Sequence, residues 1–155
     1  MGTRADFYIK NESSLEWLGS IAWNGQEIDN VAKAQTSIEY KFLVNSFLHN
    51  RNDATFPADG WPWSWNNSKL TDCCYVFIPG KWPNLGKVWK NIDRIGSHED
   101  HTSPLLFVPI DHKDEYNDKY DRIVPTSVLR MCVPDMSNVR NVTFGPRSGV
   151  IVISV

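Results

Sequence analysis

A chain of 155 residues with a 41% apolar composition is long enough to bury one hydrophobic core without metal or disulfide staples. Charged residues make up 22% and the formal net charge is -2, which excludes general disorder and a wholesale polyanion-coating role. The three cysteines, Cys73, Cys74 and Cys132, form an adjacent pair and a single, with no C-x-x-C, so they fit neither a disulfide framework nor a zinc knuckle; reduced thiols in a cytoplasm are the simplest account.

The start, Met1 to Asp6, carries a charge and an acid where a secretory signal needs an apolar run. Asp6 stands where N-myristoylation wants Ser or Thr, and no stretch approaches the roughly 18 apolar residues of a membrane span. The expectation is a soluble, cytoplasmic single domain over residues 1–155, in which the sequons at Asn11, Asn66 and Asn141 carry no meaning.

Along the chain, Ala5 to Ile9 is aromatic and β-branched and predicts a strand. Trp17 to Trp23 predicts a second, with Trp17, Gly19, Ile21 and Trp23 sharing one face at period two before the turn dipeptide Asn24-Gly25. From an N-cap at Asp29 or Asn30, Val31, Ala34, Ile38 and Phe42 recur at helical spacing, predicting one main helix over about residues 30–49. Pro and Gly punctuate 50–67, which reads as a loop holding the tryptophan segment Gly60-Trp61-Pro62-Trp63-Ser64-Trp65. Further strands are predicted at Cys74–Ile78, Lys87–Lys90, Leu105–Val108 and Val128–Val133, then at Asn141–Phe144 and Val150–Val155, the last a candidate central strand buried on both faces. Strands around one long helix predict an α+β fold with a mostly antiparallel sheet.

Chemistry has four places to reside. In Trp61-Pro62-Trp63-Ser64-Trp65 three indoles alternate with small residues on a stiff backbone, a pattern that serves either to cover a core from outside or to stack on bases and anchor a partner. The stretch from Lys81 through Trp82 and Trp89 to Lys90 mixes basic and aromatic side chains, as an edge-protecting hairpin or a single-strand nucleic-acid groove would. Residues 99–121 hold seven acidic side chains against two basic ones, with Asp111, Asp114, Glu115, Asp118 and Asp121 forming either a solvated loop or an acidic patch toward a partner. His98, His101 and His112 with Asp111 are of ligand type for zinc, manganese or iron, although the spacing is neither H-E-x-x-H nor an EF-hand loop. Gly145 to Gly149 reads as a hairpin turn, and no nucleophile pairs with a base by spacing.

Met1-Gly2-Thr3-Arg4-Ala5-Asp6-Phe7-Tyr8, Glu16 to Gly25, Gly60 to Ser68 with Thr71-Asp72, and Pro134 to Ser137 with Gly145 to Gly149 together resemble a family of small uncharacterised proteins of bacteria and their phages. The likeness is patchy from about Gly80 to Val133. It implies a bacterial or phage-infected cytoplasm and supplies no catalytic residue or cofactor. The leading expectation is a non-catalytic module that binds a host or phage protein through residues 60–121: Trp61, Trp63, Trp65, Trp82, Trp89 and the acidic side chains. A phage-encoded inhibitor of host defence, anti-CRISPR-like in role, and an immunity-type protein are its two concrete forms. The alternatives are a metal-dependent hydrolase on the His/Asp cluster, or a nucleotide site with Trp61 and Trp63 on a base and Arg147 on phosphate. Sequence-neutral nucleic-acid binding through 81–90 is the least favoured.

Overall fold

The computed structural model describes residues 2–92, 104–110, 116–117, 122–123 and 128–136. The first hairpin is formed by β1 (Ala5–Lys10) and β2 (Leu15–Ile21), and β3 is the short pairing Ala54–Thr55 beyond the helix α1 (Ser37–His49). Then come β4 (Cys73–Ile78), β5 (Lys87–Asn91) and β6 (Leu105–Pro109). A separate two-residue ladder joins β7 (Tyr116–Asn117) to β8 (Arg122–Ile123), and β9 (Leu129–Met131) completes the main sheet. That sheet has seven strands in the order β3-β2-β1-β4-β5-β6-β9. Every neighbouring pair is antiparallel except β1 and β4, which run parallel at its centre. The architecture is α+β with one main helix, as the sequence predicts.

Alternation along the strands sorts the core into two layers. Ala5, Phe7 and Ile9 of β1, with Tyr75 and Phe77 of β4, face α1 and meet its Tyr40, Val44 and Leu48. Tyr8, Cys74, Val76 and Phe107 point the other way, where Trp61 and Met136 cover them. The central strands are thus buried on both faces, which is why β1 and β4 read as near-continuous apolar runs.

Three expectations are corrected. The helix does not begin at residue 30: Asp29–Lys33 is a separate 3₁₀ turn, Ala34 is extended, and α1 starts after Thr36. Thr36 Oγ1 accepts the Glu39 amide at 3.1 Å while Glu39 Oε1 accepts the Gln35 amide at 2.7 Å, a T-x-x-E cap that fixes the start more strongly than the upstream Asp and Asn do. The helix also turns a different face inward. Its buried residues are Tyr40, Val44 and Leu48, while Ile38 and Phe42, two of the apolar positions whose spacing marks the helix in the sequence, are 84% and 68% exposed.

The third correction is in β2. The pairing steps from Phe7 opposite Gly19 to Tyr8 opposite Trp17, so Leu18 is an extra residue and the period-two face is broken. Trp17 therefore lies on the Trp61 side, Ile21 on the helix side, and Trp23 beyond the strand is 54% exposed. Gly19 makes the bulge feasible: its φ is +144°, and a Cβ there would sit 2.5 Å from Leu48 Cδ1. The strands expected at 141–144 and 150–155, and the Gly145–Gly149 turn, lie outside the described residues.

Candidate functional site

On the sheet face opposite α1 the tryptophan segment closes over one carboxylate. Asp6 is fully buried, on the same side of β1 as Tyr8. Its Oδ1 accepts the Ser20 hydroxyl at 2.6 Å and the Trp63 indole N–H at 2.7 Å, and its Oδ2 accepts the Ser68 hydroxyl at 2.6 Å. Because each serine spends its single proton on Asp6, each must accept its next bond. Ser20 accepts from Trp17 Nε1 at 3.0 Å, and Ser68 accepts the Tyr8 hydroxyl at 2.8 Å. Two donor relays and one indole thus converge on a single side chain, joining β1, β2 and the 60–71 segment.

The other indoles are held in the same way. Trp61 is buried, meets Trp17 edge-on at 5.2 Å and donates to the Trp65 carbonyl at 2.6 Å. Trp65 donates to Thr71 Oγ1 at 2.9 Å and stacks on Trp63 at 5.6 Å. The Arg4 guanidinium lies 5.7 and 5.4 Å from the Trp63 and Trp65 ring centres and pairs with Asp72 at 3.8 Å, closing the outer side of the stack. Asn67 Oδ1 accepts the Lys69 amide at 3.0 Å, and Asn66 bonds through its carbonyl to the Met136 amide, so the segment is tied down at both ends.

Burial dominates the electrostatics of this cluster. It raises the Asp6 carboxyl above its ordinary 3.8, against the hydrogen bonds from Ser20, Ser68 and Trp63 that favour the charged form. It also pushes the Tyr8 hydroxyl and the Cys74 thiol well up, with the Asp6 charge adding to both. A general acid or base must reach the proton it moves, and a nucleophilic cysteine must reach the thiolate state. Asp6, Tyr8, Ser20, Ser68 and Cys74 all have 0% exposure, so the cluster clamps the segment to the sheet and offers nothing to a substrate. A second carboxylate works similarly at the far end of β2: Asp53 Oδ2 accepts the Ala22 and Trp23 amides at 3.1 and 2.8 Å, and Asp53 pairs with Arg51 at 2.8 Å. The Arg51 guanidinium holds the Asp53 carboxyl below its ordinary value.

The remaining tryptophans differ in kind. Trp89, on β5 opposite Val76 and Pro109, is half-buried against the layer that holds Trp61. Trp82 is 93% exposed, in the turn between β4 and β5 closed by the Asn84 amide on the Lys81 carbonyl at 2.7 Å, with a cis Trp82–Pro83 peptide. Leu85, three residues on, is 55% exposed. The turn is anchored beside the helix start: the Gly86 amide donates to the Gln35 carbonyl at 2.9 Å, and the Phe77 ring next to Gly86 stacks on Tyr40 at 5.1 Å. Ile38 and Phe42, one turn apart on the outward side of α1, therefore stand at the same end of the molecule as Trp82 and Leu85.

No protein-family model, curated protein or solved structure matches this chain.

Of the side chains singled out in the sequence, Trp61, Trp63 and Trp65 are brought together, Trp82 stands apart at the surface, and Trp89 is a sheet residue. Asp111, Asp114, Glu115, Asp118, Asp121, His98, His101, His112 and Arg147 lie outside the described residues, and no metal-ligand cluster occurs among the described ones. Sequence reasoning missed Asp6. Its signal was one acid among four apolar neighbours in a strand, in phase with Tyr8, which marks a buried charge in need of donors. Ile38 and Phe42 were missed as surface because helical spacing alone does not say which of two apolar stripes turns inward.

Proposed function

We propose that this chain is a non-catalytic protein-binding module of the bacterial cytoplasm, whose contact surface is the β4–β5 turn and the outward side of α1. The observation that carries this reading is the exposure of Trp82 at 93%, beside Leu85 and at the same end as Ile38 and Phe42. Tryptophan is among the most buried residue types on average, and interface hot spots are enriched in it. Large apolar side chains clustered at a surface mark interaction sites. A protein acting on another protein needs such a patch and no assembled catalytic set. The likeness of both ends and of the tryptophan segment to small bacterial and phage proteins supports the compartment. An inhibitor of host defence and an immunity-type partner are the two concrete forms proposed for the module. Among the described residues no helix is long and apolar enough to cross a membrane.

The test is affinity capture from bacterial lysate with three baits: the wild-type chain, Trp82→Ala, and Ile38→Asp with Phe42→Asp. The expected result is a stoichiometric protein recovered by the wild type and reduced at least about tenfold by either variant, the usual cost of losing a central aromatic anchor. Equal recovery by all three baits refutes the assignment of this surface.

A further inference from the structure

We infer that Asn24 is a site of spontaneous covalent modification gated by its own turn: its side-chain amide converts to aspartate and isoaspartate once Gly25 leaves its bonds to Thr3 and Tyr75, and is held unreacted until then. Asparagine is a thermolabile residue, and it reacts through the main-chain nitrogen of the residue that follows it. Glycine, with no side chain to obstruct that approach, makes the most labile pair, and Asn24-Gly25 is the one Asn-Gly in the chain. Asn24 is exposed, with left-handed backbone at φ +54°, whereas Gly25 is buried. The Gly25 amide donates to the Thr3 carbonyl at 2.7 Å, and the Gly25 carbonyl accepts the Tyr75 hydroxyl at 2.6 Å. A Cβ on Gly25 would lie 2.8 Å from the Thr3 carbonyl oxygen and 2.9 Å from Ala5 Cβ, so this close approach requires glycine. The residue that packing demands at position 25 is also the one that makes Asn24 labile.

In the reaction the Gly25 nitrogen gives up its proton to water and bonds to the Asn24 side-chain carbonyl carbon, and the side-chain nitrogen leaves as ammonia. Water then opens the five-membered imide. Opening at the side-chain carbonyl gives aspartate; opening at the main-chain carbonyl gives isoaspartate, which carries the chain through the side-chain carbons and so adds one backbone atom. Either product adds a negative charge at neutral pH. In the folded protein the attacking nitrogen is buried with its proton on Thr3, and Tyr75 holds the other side of the same residue. The gate is therefore the attachment of the turn to the start of β1, and local opening of that attachment frees the nitrogen. Loss of ammonia makes the step one-way. An extra backbone atom before Gly25 alters a turn in which the Glu27 amide donates to the Asn24 carbonyl at 3.0 Å and Gly25 is bonded on both sides, so a chain that has opened and reacted stays weakened there.

The experiment incubates the full chain near neutral pH, folded and in denaturing urea, beside a synthetic peptide of residues 20–29. Peptide mapping that resolves Asn, Asp and isoaspartate at position 24 gives the rates, and hydrogen exchange of the Gly25 amide reports the gate directly. The unfolded chain is expected to react at the rate of the peptide, and the folded chain at least about tenfold more slowly, with a protected Gly25 amide. Tyr75→Phe removes one bond of the gate and is expected to speed both exchange and conversion in the folded state about three- to tenfold, the worth of one hydrogen bond. Tyr40→Phe deletes a buried hydroxyl that has no partner among the described residues, and should leave both rates unchanged. Chains carrying isoaspartate at 24, refolded from urea, are expected to melt below wild type, while Asn24→Asp, which adds the charge without the extra atom, melts close to it. Conversion of the folded chain at the peptide rate, an unprotected Gly25 amide, or equal effects of Tyr75→Phe and Tyr40→Phe overturns the gate. Wild-type melting of the isoaspartate form overturns the lasting mark.

Discussion

Replacing Asp6 separates a clamp from a decorative buried acid. Asp6→Ala strands three donors inside the protein: the Ser20 and Ser68 hydroxyls and the Trp63 indole N–H. An unpaired buried donor costs about 1–3 kcal/mol, and the two hydroxyls can rotate to recover part of it, so the sum is about 3–5 kcal/mol. For a chain of this length that is a fall of roughly 10–15 °C in Tm. Asp6→Asn keeps the shape and strands fewer donors. Its carbonyl still accepts from Ser20 and Trp63, and its amide donates to Ser68, whose proton then turns to Tyr8 and leaves the Tyr8 hydroxyl proton without its acceptor; the expected loss is about 2 kcal/mol. The two variants also differ from wild type in pH dependence. Burial raises the folded-state pKa of Asp6, so the folded protein holds this proton more tightly than the unfolded chain does. The contribution of Asp6 is therefore fully present below 3.8 and is lost as pH rises through its folded pKa. Urea denaturation of wild type and Asp6→Asn across pH 3.5 to 8 measures both effects, and the stability difference is expected to move against the wild type as pH rises. Equal stability of Asp6→Ala and Asp6→Asn, or a difference flat with pH, would refute the convergence of donors on a buried carboxyl.

Gly19→Ala forces a Cβ to 2.5 Å from Leu48 Cδ1 and 2.9 Å from the Thr55 carbonyl, at φ +144°; a loss of about 2–4 kcal/mol in thermal denaturation is expected. Asp53→Ala removes the acceptor of two amides and of Arg51, and should cost about 2–3 kcal/mol by urea titration. Because the Asp53 pKa is lowered on folding, its contribution is present above 3.8 and is lost as pH falls through the folded value, so wild type and Asp53→Ala should converge in strong acid. Tyr40→Phe should be neutral or stabilising by up to about 1 kcal/mol, since the Tyr40 hydroxyl is buried without a hydrogen-bond partner among the described residues; a clear loss of Tm would show that it is bonded. Trp82→Ala should change Tm by no more than about 1–2 °C, because surface substitutions stay near ±0.5 kcal/mol, while abolishing partner capture.

What the sequence revealed follows from range. Strands β1, β4, β5 and β6 were legible because their apolar and β-branched runs end at Pro or polar clusters, a signal contained in five or six residues. The start of α1 was not, although Thr36-Ser37-Ile38-Glu39 carries it, because the apolar spacing continues upstream through Val31 and Ala34 and masks the break. The Leu18 bulge depends on how β2 pairs with β1, which no property of β2 alone records. Asp6 and Trp63 are separated by 57 residues, so their bond is a product of the crossover that lays β4 parallel to β1 and carries the tryptophan segment over the sheet.

That crossover also explains why tryptophans in one chain have opposite fates. A buried indole must place its N–H, and the segment before β4 offers the acceptors in turn: the Trp65 carbonyl for Trp61, Asp6 for Trp63 and Thr71 for Trp65. Three large rings can then lie against the sheet without leaving a donor unpaired. The turn after β4 has no such cover. Its Gly86 backbone rests on Phe77 and is bonded to Gln35, which fixes the turn to the helix start and leaves Trp82 directed into solvent. Holding the turn in place lowers the entropy that a flexible loop would lose on binding, so an anchored, exposed tryptophan costs less to immobilise at an interface than one on a free loop. The alternating segment is thus the wedge that completes the core. The solitary Trp82 stays outside that core, and the proposed contact surface turns on it.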